Sequence, residues 1–197
     1  MRYFDKFISA MLAGLCISVG CIVNLQVGGG VAGAVLFTFG LITVVHYKYA
    51  LFTGTAGFVA SWKDVVELFV TILVGNIAGC LITAIVADTA IAGLQEKALA
   101  IAQMRESVPW YSAFFRAVFC GFLMTTAVKF ARENRWLPLV FAVPVFILAG
   151  FFHSIADAFY LSAAGHASWQ LAFNYLLIVL GNFVGCNVYR ARREPNV

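Results

Sequence analysis

Charge is what this chain has least of. Only 11% of its 197 residues are Asp, Glu, Lys or Arg, whereas a soluble domain carries about 25%. So few charges cannot cover a globular surface, which excludes an ordinary water-soluble domain and leaves an exterior that must meet another solvent. A continuous basic face is missing as well, because the net charge of +4 is spread over short clusters between apolar stretches. No nucleic-acid partner is expected. No lone apolar run precedes a small-residue cut site near residue 1, so a retained N-terminus is the expectation. The sequence also lacks a paired-carboxylate site, a cluster with metal-ligand spacing, a phosphate loop and a soluble catalytic region. The chain is expected not to be an enzyme and to hold no metal or cofactor.

What is present is apolar: 62% of residues are hydrophobic, with a mean hydropathy of +0.92. The expected solvent is the lipid bilayer. A helix needs about 20 apolar residues to cross about 30 Å of hydrocarbon. The runs 7–27, 68–87, 136–156 and 167–189 fit that requirement. Two further runs bring the expected crossings to six: 31–61, interrupted by Lys48 and by Leu51-Phe52-Thr53-Gly54, and 107–128, with Arg116 near its start. Basic residues alternate between connections. Arg2 and Lys6, then Lys63, then Lys129, Arg132 and Arg135, then Arg190, Arg192 and Arg193 fall on one side, while 28–30 and 161–168 have none and the 88–106 loop mixes both signs. By the positive-inside rule both termini are cytoplasmic. Cys16, Cys21, Cys80, Cys120 and Cys186 all lie in apolar runs, where thiols behave as small hydrophobes, so no structural disulfide is expected.

The chain also repeats itself. Gly75-Asn76-Ile77-Ala78-Gly79-Cys80 recurs as Gly181-Asn182-Phe183-Val184-Gly185-Cys186. Three spans per copy is an odd number, so the second copy enters the membrane the other way up, an arrangement that places a permeation site at the midplane between halves. Gly-x-x-x-Gly alone would serve only close helix packing. An Asn in both copies favours a true repeat, since each needs a hydrogen-bond partner inside the membrane.

Two stretches interrupt the spans. Residues 48–55 mix polar and small residues at membrane depth, which is tolerated only where the backbone is buried in protein or lines a cavity. A helix break is expected near Thr53. Its counterpart is Gly150-Phe151-Phe152-His153-Ser154-Ile155-Ala156-Asp157, which sets an imidazole and a carboxylate four residues apart, on one face if the helix continues. An ionisable pair at that depth is costly unless it is paired or works. His153 and Ser154 are sequence neighbours and do not face each other on a helix, so they form no nucleophile and base pair.

These motifs, in this order and spacing, resemble the formate/nitrite transporter family of formate, nitrite and hydrosulfide channels, over nearly the whole chain. Leu51-Phe52-Thr53-Gly54 resembles the family's broken second helix, Gly150–Asp157 its broken fifth helix, and the Gly-Asn-x-x-Gly segments those of its third and sixth. The resemblance implies an all-α membrane protein of six transmembrane helices in two inverted three-helix repeats, aquaporin-like, with the second and fifth helices broken. It further implies a single channel domain over 1–197 (repeats at about 5–88 and 107–190), a homopentamer with one pore per subunit, and a bacterial inner (plasma) membrane location. No Asn-Pro-Ala pair occurs, which counts against a water or glycerol channel. Carried over by position, His153 resembles the central pore histidine, Thr53 the threonine facing it and Asn182 the polar residue of the sixth helix. Phe37, Leu41, Leu51, Phe52, Met124 and Phe146 fall where the family places its apolar constrictions. The chain departs from the family at Arg105, where a vestibule lysine is usual; at Gly121, where helix four has Asn; at Phe152, where Glu precedes the histidine; and at Asp157, in place of Asn.

The expected function is passage of a small monovalent anion or its conjugate acid (formate, nitrite or hydrosulfide). Desolvating a charge among Phe and Leu is far costlier than passing the neutral acid. Arg105 would draw the anion in, and His153, with Asp157 nearby, would relay a proton. The alternative places Asp157, Lys48 and His46 in a site for another small solute, such as ammonium or a neutral molecule.

Overall fold

The computed structural model describes residues 3–191, and Arg2, Arg192 and Arg193 lie outside the described residues. Among the described residues every regular element is helical. The first helix, α1 (Tyr3–Gln26), hands over to α2 (Gly30–His46) through Gly28, Gly29 and Gly30, at φ of 78°, 75° and 65°. Only glycine adopts such values without penalty, so the turn is written in its sequence. Helical geometry stops at His46, passes through Lys48 at φ 57° and an extended Leu51, and resumes in α3 (Phe52–Thr55).

After a 3₁₀ turn at Ala56–Phe58, the Ser61 hydroxyl accepts from the Asp64 amide while the Asp64 carboxylate accepts from the Ser61 amide, a reciprocal cap that starts α4 (Trp62–Glu67). A π-helical stretch, Leu68–Leu73, carries the axis on into α5 (Val74–Ala90). Then come α6 (Leu94–Ser107), α7 (Trp110–Arg132), α8 (Leu137–Leu148), α9 (Ser154–Ala164) and α10 (Trp169–Cys186).

Three segments differ from expectation. The stretch expected as a mixed-charge loop at 88–106 is largely the helix α6, packed against α9. Its buried residues Leu94, Ala98, Ala102 and Arg105 follow helical spacing, while Gln95, Glu96 and Lys97 face outward. The run 136–156 is not one helix: α8 stops at Leu148, Gly150 takes φ 69°, and α9 runs from Ser154 past the expected end to Ala164. Lys48, expected inside a span, is exposed in the left-handed turn after α2.

Glycines let the helices touch. A Cβ on Gly14 would lie 2.2 Å from the Asn76 carbonyl oxygen and one on Gly79 2.1 Å from that of Met11, locking α1 onto α5. A Cβ on Gly121 would lie 2.2 Å from the Asn182 carbonyl oxygen and one on Gly185 1.9 Å from that of Val118, locking α7 onto α10 in the same way. Gly121 is thus a contact point between backbones with no room for a side chain of any kind.

The exterior is apolar. Phe39, Val70, Ile85, Phe115 and Phe141 are all exposed, as expected of a surface that meets hydrocarbon. Among the described residues, four helical stretches are long and apolar enough to cross a membrane: Tyr3–Gln26, Trp62–Ala90, Trp110–Arg132 and Trp169–Arg190. Each begins with an exposed Tyr or Trp, the residues favoured at the membrane–water boundary. Two shorter apolar helices, Gly30–His46 and Leu137–Leu148, precede the two interruptions.

Candidate functional site

The two interruptions meet through one hydrogen bond. Thr53 Oγ1 lies 2.9 Å from His153 Nε2, and both side chains are buried. His153 is the residue before α9, and its Nδ1 accepts the Ala156 amide at 3.2 Å as a helix cap. Because Nδ1 is occupied as an acceptor, the neutral ring carries its hydrogen on Nε2 and donates it to Thr53. The helix therefore does not continue through His153, and the expected shared face with Asp157 is replaced by a cap: His153 precedes the first turn that holds Asp157.

The interruptions are held open by the repeated asparagines. Asn76 Oδ1 accepts from the Phe52 amide at 2.8 Å, and its Nδ2 donates to the carbonyls of Ala10 at 2.8 Å and Ala50 at 2.9 Å. Asn182 makes the matching set, accepting from the Ser154 amide at 2.8 Å and donating to Ala117 at 2.8 Å and Phe152 at 2.9 Å. Each Asn thus satisfies backbone groups that a broken helix sets free. The two cysteines of the repeated hexapeptides add weak donations: Cys80 Sγ to the Ile155 carbonyl at 3.4 Å, and Cys186 Sγ to that of Thr53 at 3.4 Å.

Two cavities flank this centre. The wider, of about 620 Å³, is lined by Leu51 and Gly54 and by the basic side chains Lys6, His46, Lys48 and Arg132. Lys6 is paired with Glu67 at 2.5 Å, and the Arg132 guanidinium lies 3.8 Å above the Phe58 ring. The narrower, of about 170 Å³, is lined by His153, Asp157, Arg105, Asn24, Tyr160 and an aromatic wall of Phe37, Phe146 and Phe151. Phe37 meets Phe146 edge to face at 5.9 Å, and Phe146 stacks on His153 at 5.6 Å. Leu41 and Met124 are buried and line neither cavity, and Phe52 turns its ring to Phe69 at 5.4 Å.

Arg105, Phe152 and Asp157 meet at one place. Arg105 Nε donates to Asp157 Oδ1 at 2.8 Å, and its guanidinium lies 3.8 Å over the Phe152 ring. The three side chains form one packed unit, a buried cation set between a carboxylate and an aromatic face. The structure does not bring Asp157 to Lys48 and His46, which line the other cavity. Three residues were missed in the sequence. Asn24 and Tyr160 line the narrower cavity, and Asn174 donates to the carbonyls of Arg105 at 2.9 Å and Val108 at 3.1 Å, fixing the end of α6. An Asn inside an apolar run was the available signal for Asn24 and Asn174.

Beyond this centre, at the end of α6, the Glu106 carboxylate takes the Ser168 hydroxyl and, at 2.9 Å, His166 Nε2. The Ser168 hydroxyl first and His166 second hold the Glu106 carboxyl below its ordinary range.

Residues 1–191 match the family described as formate/nitrite transporter. The chain belongs to that family. A probable formate transporter of Methanothermobacter thermautotrophicus is 29% identical over 92% of this chain and 84% of its own length. A formate channel of Bacillus thuringiensis is 26% identical over 90% of this chain and 81% of its own. Among solved structures, a pentameric formate channel with formate bound superposes with a TM-score of 0.85 at 22% identity, covering 96% of this chain and 94% of that one. Another FNT family ion channel gives 0.85 at 20% identity, covering 95% and 88%. The fold is therefore that of these all-helical channels, and the chain is an integral membrane protein of a transporter family and not an enzyme.

Proposed function

We propose that this chain forms a channel for a small monovalent anion or its conjugate acid, of the formate, nitrite or hydrosulfide kind. The observation that carries the reading is the buried Thr53–His153 contact, joining a segment beside the wider cavity to the wall of the narrower one behind the Phe37–Phe146 pair. Stripping water from an anion to pass such rings costs many kcal/mol, and the neutral acid crosses far more cheaply. Basic side chains around the wider cavity gather anions, and protonation occurs before the narrowing. The polar contact at the centre lies where the proton must be exchanged.

His153 gives up its Nε2 proton only as Nδ1 takes another, and Nδ1 is held by the Ala156 amide. Proton relay through this ring therefore goes with opening of the α9 cap. In this reading Leu51, Phe37 and Phe146 form the apolar narrowings, with Leu41, Phe52 and Met124 packed behind them. Asn182 holds the backbone around His153, and Arg105 with Asp157 sets the electrostatics of the narrower mouth.

The architecture we infer is a single membrane domain over 1–197 with six spans in two inverted repeats, at about 5–88 and 107–190, whose second and fifth spans are broken at 47–51 and 149–153. The matching hydrogen-bond sets of Asn76 and Asn182 support it. The positive-inside pattern turns the wider cavity and both termini toward the cytoplasm of a bacterial inner membrane. By analogy with the pentameric formate channel, five copies assemble.

The alternative substrate, ammonium or a neutral molecule, is favoured by one observation: Asp157 Oδ2 is buried and has no hydrogen-bond partner among the described residues. Uptake of labelled formate, nitrite, hydrosulfide and methylammonium into proteoliposomes of the purified chain separates the two. Formate or nitrite uptake well above that of protein-free vesicles is expected, and uptake of methylammonium alone would overturn the anion reading.

A further inference from the structure

The repeated hexapeptides end in cysteine, and the two thiols act across the halves that the two asparagines keep apart. Among the described residues, the hydrogen bonds of the Asn76 side chain stay in its own half, at Phe52, Ala10 and Ala50. Those of Asn182 stay in the other, at Ser154, Ala117 and Phe152. The cysteines cross between them. Cys80 Sγ lies 3.5 Å from the Gly14 carbonyl oxygen in its own half and 3.4 Å from that of Ile155 in the other. Cys186 Sγ lies 3.3 Å from the Gly121 carbonyl oxygen in its own half and 3.4 Å from that of Thr53 in the other. Gly14 and Gly121 are the points where α1 meets α5 and α7 meets α10. Each thiol therefore sits at a helix contact of one half and reaches a backbone oxygen beside the interruption of the other. A thiol has one hydrogen and is a weak donor, here between two carbonyls and buried.

The acceptors lie on either side of the central contact. Thr53 carries the hydroxyl that meets His153 Nε2, and Ile155 lies in the first turn of α9, just past His153. With only four residues, α3 is too short to hold itself and depends on bonds from outside. Asn76 takes its Phe52 amide, Cys186 reaches its Thr53 carbonyl, and Asn187 Nδ2 donates to the Ala56 carbonyl beyond it at 3.1 Å. We infer that Cys80 and Cys186 are positioning residues: by tying the interruption of one half to the helix contact of the other, the two thiols set how Thr53 meets His153, and through that contact the rate of passage. The effect on uptake rests on the channel reading; the effect on His153 does not.

Cys80→Ala and Cys186→Ala remove the donors and little volume, while Cys80→Ser and Cys186→Ser keep a hydroxyl donor at the same place. Cys186→Val refills the position without a donor and replaces the alanine variant should that one not fold. Cys120→Ala is the packing control. It takes the same atom from an equally buried position on α7, whose thiol makes no hydrogen bond among the described residues.

Two readouts at one fixed pH are made on the full chain: labelled formate uptake into proteoliposomes, and the ring-nitrogen resonances of His153 in histidine-labelled protein in nanodiscs, assigned by their loss in His153→Gln. Each alanine variant is expected to slow maximal uptake about fivefold at an unchanged half-saturating formate concentration. Each is also expected to move the His153 Nε2 resonance, and serine to return both readouts close to wild type. Because the thiols act through the Thr53–His153 contact, neither alanine change slows uptake further in a Thr53→Val background. An equal loss in Cys120→Ala, or the same fivefold loss on top of Thr53→Val, assigns the thiols to packing and overturns the proposal. Formate uptake in wild type, with the His153 resonance unmoved in both alanine variants, refutes the positioning role and spares the channel reading. A resonance that moves in both, in a protein that takes up no formate, does the reverse.

Discussion

Replacing Asn182 by Ala strikes the element that keeps the second interruption open. Its side chain makes three hydrogen bonds, one from the Ser154 amide and two to the carbonyls of Phe152 and Ala117. Ala117 lies inside α7, where a carbonyl keeps its intrahelical partner, so its loss costs little. The Ser154 amide and the Phe152 carbonyl flank His153, and the substitution leaves both buried without these partners. Each stranded group costs about 1–3 kcal/mol, giving about 2–6 kcal/mol in all. In a chain of this size that lowers the apparent melting temperature by about 4–24 °C. Thermal unfolding in detergent, followed by tryptophan fluorescence, measures the drop, and formate uptake into proteoliposomes reports the position of His153. Asn76→Ala carries the same two-group cost at Phe52 and Ala50 and should fall in the same range. A shift below 2 °C in both variants, with uptake intact, would refute the claim that these asparagines hold the breaks.

Gly121→Ala and Gly14→Ala each push a methyl to 2.2 Å from a carbonyl oxygen, and both should abolish recovery of a folded peak in size-exclusion chromatography. Thr53→Val removes the oxygen that meets His153 Nε2 and should slow formate uptake at least tenfold with little change in thermal stability. A wild-type rate would assign Thr53 a packing role only. The Glu106–Ser168 contact has a depressed carboxyl in the folded state, so its stabilisation is complete above about pH 4.3 and is lost as pH falls through the lower folded value. Hydrogen exchange of the 166–172 segment, corrected for intrinsic rates, should show protection lost in acid, and Glu106→Gln should flatten that dependence.

The parts of the site that depend on local pattern were readable before the fold was known. Thr53 and His153 stood out because a polar residue and a ring nitrogen interrupt apolar runs, and Asn76 and Asn182 because a motif recurred. The unit of Arg105, Phe152 and Asp157 was not readable as a unit. Its members come from α6, from the break before α9 and from the first turn of α9, and a guanidinium over a ring is a tertiary contact with no sequence period. The helix α6 was missed for a related reason: its buried face has one large apolar residue, Leu94, beside Ala98, Ala102 and Arg105, so a weak apolar signal was masked by the neighbouring Glu96 and Lys97. What stops the chain at His46 and Leu148 includes a side chain from a distant helix that satisfies the backbone beyond, as Asn182 does for Phe152.

The central claim is that the solute passes the aromatic narrowing with its proton and therefore without net charge. Its most direct test is the voltage dependence of labelled formate uptake into proteoliposomes clamped at 0 and 100 mV with a potassium gradient and valinomycin, at equal internal and external pH. Moving one elementary charge through 100 mV is worth about 2.3 kcal/mol, which corresponds to as much as a 50-fold change in rate for a bare anion. Uptake in the wild-type protein is predicted to be the same at both potentials and to alkalinise the external medium as protons accompany formate inward. A rate that changes tenfold or more with potential would contradict the account.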